Sequence, residues 1–321
     1  MKRHKGSILI TTLWIMVILS LLALGIGFRA SIEVRLGSYN MDKMRARYLA
    51  MAGIMKAQEY LLKDKNKPNG YDSIYACGIP FDTEETSDKI FSAFFNKLKT
   101  GEFEVYYTSA QRDDEGNALR YYGMVDEQRK LNIKLSFFPD AIQYKETLRS
   151  LFPNLGDIVI DNMINWQDVD EEGGHEKNKD FESLQELLLV EEMTPALFNE
   201  IKDFVTVYGD GKINLNTASW EVLSAILGDS EMADIIVDNR SGDTGGLVNG
   251  YFGSVPEVSN LFKGDIRASL INEQLFTVES DNFTIISHGV TRNIEKVITC
   301  VVKRPEAGGT SFGEMQYYHE D

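Results

Sequence analysis

Twenty-two consecutive residues, Ser7 to Phe28 (SILITTLWIMVILSLLALGIGF), carry no ionisable side chain. At roughly 1.5 Å rise per residue this run makes about 33 Å of helix, enough to cross a hydrocarbon core of about 30 Å. Lys2, Arg3 and Lys5, with His4 between them, precede the run, and Arg29 is the first charge after it. Basic residues flanking a span stay in the cytoplasm. The pattern therefore predicts a single-pass inner-membrane protein with its C-terminal bulk in the periplasm. A cleaved secretory signal fits poorly, because its apolar region would span about 7–15 residues before an A-x-A-like site. Ala23 stands alone among large residues.

The remainder is a folded, acidic protein. The chain has 321 residues, 43% hydrophobic and 26% charged, which suffices for a sizeable core and two folded units. Its net charge of −16 argues against a generic polyanion binder, whose affinity comes from neutralised phosphates. Two cysteines are too few for a disulfide scaffold or a zinc site made of cysteines alone.

From Arg29 to Lys65 there is no proline. Apolar Ile32, Leu36, Tyr39, Met44, Tyr48, Leu49, Ala52, Met55, Tyr60 and Leu61 recur at three- and four-residue steps. The spacing predicts one helix from Ser7 to about Leu62, ended by the breaker cluster 65–70 (KNKPNG). Glu102–Ala110 and Leu119–Asp126 then read as a β-hairpin around the polar turn 112–117. Phe276–Glu279, Phe283–His288 and Glu295–Lys303 read as further strands. Between these strand blocks lie helical patterns at Ala141–Leu151, Ile158–Trp166, Phe181–Val190, Pro195–Phe204, Ser219–Ile226 and Ser230–Asn239. The expected class is α+β, with a large all-helical domain (139–272) inserted between a first part (29–138) and last strands (273–304). The segment 305–321 is expected to be a mobile tail.

Three stretches carry a family resemblance. Val125–Ile133 (VDEQRKLNI) is similar to a D-E-x-x-K-L-N-I segment. Asn165–Asp170 (NWQDVD) is similar to D-W-x-D-x-D. Phe204–Ala218 (FVTVYGDGKINLNTA) is similar to F-x-T-V-Y-G-x-G-K-I-N-L-N-T-A. Ahead of them, a basic leader (1–6) ending in Gly6, with the apolar helix (7–28) beginning at once at Ser7, resembles a prepilin signal; a plain signal anchor is the competing reading. Together they resemble the minor pseudopilin K family of type II secretion systems. The departures are Asn165 where the family has Asp, and a short stretch after the acidic loop that lacks the family's following tyrosines.

The resemblance implies a pilin-like long N-terminal helix packed on a small antiparallel sheet. It also implies a non-enzymatic subunit at the tip of the pseudopilus that helps initiate and cap it for protein export across the outer membrane. Prepilin peptidase would cut between Gly6 and Ser7 and the new terminus would be methylated. The implied partners are other minor pseudopilins in a tip complex and the inner membrane, with no nucleic acid or small-molecule substrate. In pilins generally the fifth mature residue is a membrane-buried Glu that pairs with the amine of the preceding subunit. Here it is Thr11, uncharged, so this subunit gains little from a neighbour above it.

Other motifs need weighing. Asp168, Asp170 and Glu172 alternate before Gly173, with Glu176 and Asn165 close by. Alternating oxygen ligands suit calcium, although Lys179 stands where an EF-hand needs its last ligand. Spacing alone favours a solvated acidic turn over a calcium loop, and it is the resemblance, whose family binds calcium in the inserted domain, that implies calcium. The run Lys212–Ala218 also opens helix-hairpin-helix DNA-binding modules of membrane-anchored competence proteins, but the turn 227–231 (LGDSE) has one glycine and two acids where a phosphate would sit. Asn214, Asn216 and Thr217 are expected to brace the next helix, with Thr217 or Ser219 near its N-cap. A minor pilin of another type IV filament is the remaining alternative. Four histidines in no catalytic or zinc spacing argue against an enzyme. Cys77 and Cys300, in regions that pack together in pilin-like folds, are a candidate disulfide; a buried thiol plus an exposed one is the alternative.

Overall fold

A computed structural model describes residues 6–65, 79–80, 94–112, 116, 118–168, 177–241, 252–292, 294–305 and 313–321. With no proline to interrupt it, helix α1 runs from Gly6 to Lys65, 60 residues and about 90 Å. Every residue from Ile8 to Met41 is exposed. Burial begins at Asp42 and recurs at Ala46, Leu49, Ala50, Gly53, Ile54, Ala57, Gln58 and Leu61, the spacing of one helical face.

That face differs from the expected one. Leu49 and Leu61 are buried as anticipated, but Ile32, Leu36 and Tyr39 lie on the helix before the folded part and are exposed, and Met44, Tyr48 and Met55 face away from the sheet. Ala46, Ala50, Gly53 and Ala57 form the part of the buried stripe nearest the sheet, because the helix lies very close to it there. A Cβ on Gly289 would stand 2.0 Å from the Ala46 carbonyl oxygen, and one on Gly53 would stand 2.1 Å from Ser287 Oγ. Large side chains have no room there.

Strands β1 (Ile79–Pro80), β2 (Phe95–Leu98), β3 (Gly101–Arg112), β4 (Ala118–Tyr122) and β5 (Val125–Asp126) follow α1. The chain then makes a long excursion containing the short strands β6 (Leu131–Asn132), β7 (Val205–Thr206), β8 (Ile213–Asn214) and β9 (Phe276–Thr277). It returns as β10 (Asn282–Thr291), β11 (Ile294–Lys303) and β12 (Glu314–Glu320). Among the described residues the main sheet is antiparallel, in the order β1-β4-β3-β10-β11-β12, with β2 also on β3 and β5 also on β10. Ile54 and Ala57 of α1 pack against Val105, Met124, Phe283, Ile285, Ile298, Cys300 and Val302 as one core.

The excursion is a helical domain with its own core, including Tyr144, Leu148, Ile160, Met163, Phe181, Leu215, Leu223, Ile236 and Phe252. Its helices start where the sequence offers caps. Asp140 accepts from Gln143 N–H at 2.8 Å to begin α2 (Ala141–Leu151), and α3 is Asp157–Gln167. Thr194 caps α4 (Pro195–Ile201), whose first residue is proline. Ser219 caps α5 (Trp220–Leu227), and α6 is Ser230–Ser241.

Three expectations are corrected. Phe181–Val190 is not an α-helix but a 3₁₀ run over Leu184–Leu189. Its start is tied down by Glu186, whose Oε1 accepts from the N–H of both Glu182 and Ser183. Phe276–Thr277 does not join the main sheet; it pairs in parallel with Ile213–Asn214, as Leu131–Asn132 does with Val205–Thr206. These ladders widen the inserted domain beyond 139–272, since Leu131, Ile133, Phe276 and Val278 belong to its core. The expected mobile tail contains β12, paired along β11 and held by an Arg47–Glu320 ion pair at 2.7 Å. Met315, Tyr317 and Tyr318 suit a pleated edge, which outweighs the polar composition around them.

The helix–sheet contact yields a direct prediction. Gly289→Ala drives a methyl into the α1 backbone and lowers the stability of the detergent-solubilised chain by about 3 kcal/mol, read as a fall in thermal midpoint. Gly25→Ala, which meets nothing within 4 Å, leaves that midpoint unchanged.

Candidate functional site

The N-terminal end of α1 places the expected processing residues, Gly6 and Ser7, at the first turn of the helix. Thr11 spends its hydroxyl on its own helix, donating to the Ile8 carbonyl at 2.9 Å. The segment thus presents a continuous apolar surface, long and apolar enough to cross a membrane.

Of the acidic-loop residues, Asp170, Glu172 and Glu176 lie outside the described residues. Asn165 and Asp168 are both exposed at the C-terminal end of α3, with Asp168 as its C-cap. The base of the loop is closed by Asn178 N–H, which donates to the Trp166 carbonyl at 3.0 Å. The Lys177 ammonium lies 2.8 Å from Glu186 and 3.4 Å from Glu182. The Asp168 side chain stands at the C-terminal, negative end of the α3 dipole, a place that favours a cation. Trp166 stacks against Phe181 with ring centroids 6.4 Å apart and packs against the core of the inserted domain.

The densest polar site is one the sequence reading passed over as chemistry. Where β5 gives way to the inserted domain, Asp126 and Glu127 are both buried side by side. Asp126 Oδ2 accepts from Thr217 Oγ1 at 2.5 Å, Ser280 Oγ at 2.7 Å and Asn214 Nδ2 at 3.2 Å. Its Oδ1 accepts from Gln128 N–H at 2.8 Å. Glu127 accepts from Lys130 Nζ and Thr284 Oγ1, each at 2.7 Å, and from Thr206 Oγ1 at 2.5 Å. Gln128 receives Asp281 N–H at 2.6 Å, and Asn216 binds the backbone of Phe252 and Val278.

This clasp joins the departing strand, the Phe204–Ala218 run and the returning strand. Thr217 thus braces the sheet junction, while Ser219 alone caps α5. The two acids are tuned in opposite directions. Burial raises Asp126 above its ordinary value, against the pull of the Thr217 and Ser280 hydroxyls. Burial would raise Glu127 too, but the Lys130 ammonium and the Thr206 and Thr284 hydroxyls override it and hold the carboxyl below its ordinary value. The signal in the sequence was an acid pair at a strand end followed three residues later by a lysine. Only the fold supplies the distant hydroxyls.

At the turn between α5 and α6, Asp229 Oδ1 accepts from Met232 N–H at 3.1 Å, and Arg267 lies 2.9 Å from the same carboxylate. A carboxylate thus occupies the helix start where a phosphate would sit. His288 stacks on Tyr106 at 3.9 Å and contacts Glu295 at 2.8 Å, while His319 lies beside Asp321 on the edge strand. Cys300 is a free, buried thiol that burial pushes up to about 12; Cys77 lies outside the described residues.

The arrangement is a helical domain carried on two adjacent strands of an antiparallel sheet, behind one long helix. It is shared by a chain in the crystal structure of the GspK-GspI-GspJ complex from the enterotoxigenic Escherichia coli Type 2 Secretion System, at a TM-score of 0.62. The fold is GspK-like. The match covers 89% of this chain and 99% of that one, with 15% sequence identity. No family model and no curated protein sequence matches this chain. On the GspK-like fold, the motif stretches Val125–Ile133 and Phe204–Ala218 form the clasp between its two parts.

The clasp makes a pH prediction. Glu127→Gln leaves the Lys130 ammonium, 14% exposed, without its carboxylate and costs about 3 kcal/mol at neutral pH. A depressed carboxyl contributes stability above its unfolded value, about 4.3, and loses it as pH falls through the folded value. The gap between wild type and variant in urea midpoint therefore narrows on acidification. Asp126, raised, changes in the opposite sense but equally in both proteins, so it cancels.

Proposed function

We propose that this chain is a non-enzymatic minor pseudopilin of a type II secretion system. In this reading Ser7–Phe28 anchors it in the inner membrane, its bulk lies in the periplasm, and it occupies the tip of the pseudopilus, helping to initiate and cap assembly. The observation that carries the reading is the apolar surface of α1 beyond the membrane run. Ile32, Leu36 and Tyr39 lie on one side of the helix before the sheet begins, and Met41, Met44 and Tyr48 lie on the opposite side, all exposed and uncovered by the chain's own sheet. Other long helices of the same kind would cover them. The GspK-like fold supports this, because the matched structure is a complex of GspK with GspI and GspJ.

The tip position follows from charge. A subunit whose fifth residue after Gly6 is Thr11 has no buried carboxylate to offer the amine of a subunit above, while its own amine remains free for one below. The inserted domain adds bulk to the folded part, where it would obstruct the stacking of further subunits. Asp229 at the α5–α6 turn supports setting aside the DNA-binding alternative, since it would repel a phosphate.

Processing by prepilin peptidase is tested by mass spectrometry of the protein from cells with an active secretion system. Ser7 is expected as the first residue, N-methylated, and Gly6→Leu should leave the unprocessed precursor in the membrane. An intact Met1 terminus from such cells overturns the reading.

We also propose that the loop from Asp168 to Glu176 holds calcium, with Asp168, Asp170, Glu172, Glu176 and the Asn165 side-chain oxygen as the candidate ligands. The bound ion would neutralise carboxylates that otherwise repel one another beside the α3 C-terminus. A ligand that binds only the folded state stabilises it by about 2.7 kcal/mol at a hundredfold excess over its Kd. Adding a chelator should lower the thermal midpoint, and Asp168→Ala or Asp170→Ala should remove the calcium-dependent part of it. Identical melting curves with and without calcium would return the loop to a solvated turn.

A further inference from the structure

A cavity of about 420 Å³ opens where α1 first enters the folded part, between the β2–β3 turn and the β10–β11 turn. Arg45, Lys97, Lys99 and Arg292 line it, with Glu102 as the lining acid. Two carboxylates are already engaged. Asp42, 8% exposed, lies 3.2 Å from Arg45 and 3.0 Å from Arg292, and Glu102 is 3.9 Å from Lys97. Lys99 has no ion pair among the described residues, and the side chains of Lys97 and Arg292 remain 77% and 69% exposed. Four cations against two carboxylates make this a positive pocket in a chain of net charge −16. Its walls are fixed by backbone contacts: Thr291 Oγ1 donates to the Thr100 carbonyl at 2.7 Å, and a Cβ at Gly101 would lie 2.2 Å from the Val290 carbonyl oxygen.

Two kinds of anion could be offered to such a pocket, and distance decides between them. Thirteen residues of exposed helix separate Arg29 from Asp42, about 20 Å, whereas a headgroup layer adds only about 5–8 Å to each side of the hydrocarbon core. A lipid phosphate therefore falls short. A neighbouring subunit does not, because the pocket adjoins the exposed apolar patch of Met41, Met44 and Tyr48: Arg45 sits on α1 between Met44 and Tyr48.

We propose that this pocket is a socket for a carboxylate of the adjacent subunit in the assembled filament, an acidic loop docking beside the helix contact. The proposal rests on the pseudopilin reading above and adds to it the chemistry of the partner. Interfacial charge of this kind sets register and partner choice more than affinity.

The test uses the full chain in membranes of cells that also express the other pseudopilins of its secretion system. A carbodiimide joins lysine amines directly to contacting carboxylates, and a photoreactive residue in place of Tyr39 reports the helix contact independently. Mass spectrometry should find Lys97 or Lys99 amide-linked to an Asp or Glu of another pseudopilin. Arg45→Glu together with Arg292→Glu should cut the yield by about tenfold while the Tyr39 cross-link persists. Only the intrachain Lys97–Glu102 link, with the Tyr39 cross-link intact, overturns the socket and leaves the pseudopilin reading standing. Loss of both cross-links overturns both. If Lys97→Glu with Lys99→Glu abolishes salt-sensitive binding of the purified chain to phosphatidylglycerol vesicles but leaves the pseudopilin cross-links unchanged, the pocket faces the membrane and the proposal falls.

Discussion

The closeness of α1 to the sheet is the constraint from which the rest of the architecture follows. Gly289 admits the backbone at Ala46 and Ala50, and Gly53 admits Ser287, Phe103 and Val105. A helix seated that deeply buries alanines and glycines as effectively as larger residues would be buried at a greater spacing, because dispersion depends on contact rather than size. The consequence is on the opposite face. Met44, Tyr48 and Met55 fall on the side away from the sheet and stay exposed, while Leu49, Ile54 and Leu61 flank the close contact and are buried.

The second constraint is how to hang a domain of about half the chain from a small sheet without leaving it loose. The exit strand and the return strand are neighbours, with Phe283 opposite Asp126 and Thr284 opposite Val125. At that root a pair of buried acids gathers donors from three separate stretches of chain. Such groups are expensive to bury unless every oxygen is satisfied, and here hydroxyls, amides and one lysine satisfy them. A fully partnered polar cluster is directional where an apolar contact is not. It holds the inserted domain in one orientation relative to the sheet.

Charge is distributed to match. The chain is acidic overall, yet cations gather where α1 meets the folded part, with Asp42 buried between Arg45 and Arg292. The positive pocket adjoins the exposed patch of Met41, Met44 and Tyr48, where α1 enters the folded part.

By itself the sequence determined the elements whose cause is local. The charge-free run and the absence of proline dictate the length of α1; Asp140, Thr194 with Pro195, and Ser219 mark helix starts; alternating β-branched residues mark β10 and β11. The resemblance in Val125–Ile133 and Phe204–Ala218 was legible as well, but not what those residues do. Three-residue spacing could not say which side of α1 faces inward, because Ile and Ala recur with the same period and only the partner strand's glycine selects the small one. Nor could composition reveal that residues 314–320 pair with β11, or that Asp126 meets hydroxyls 91 and 154 positions away. These depend on contacts between stretches far apart in the chain, whose hydrogen bonds and steric limits exist only once the backbone has folded.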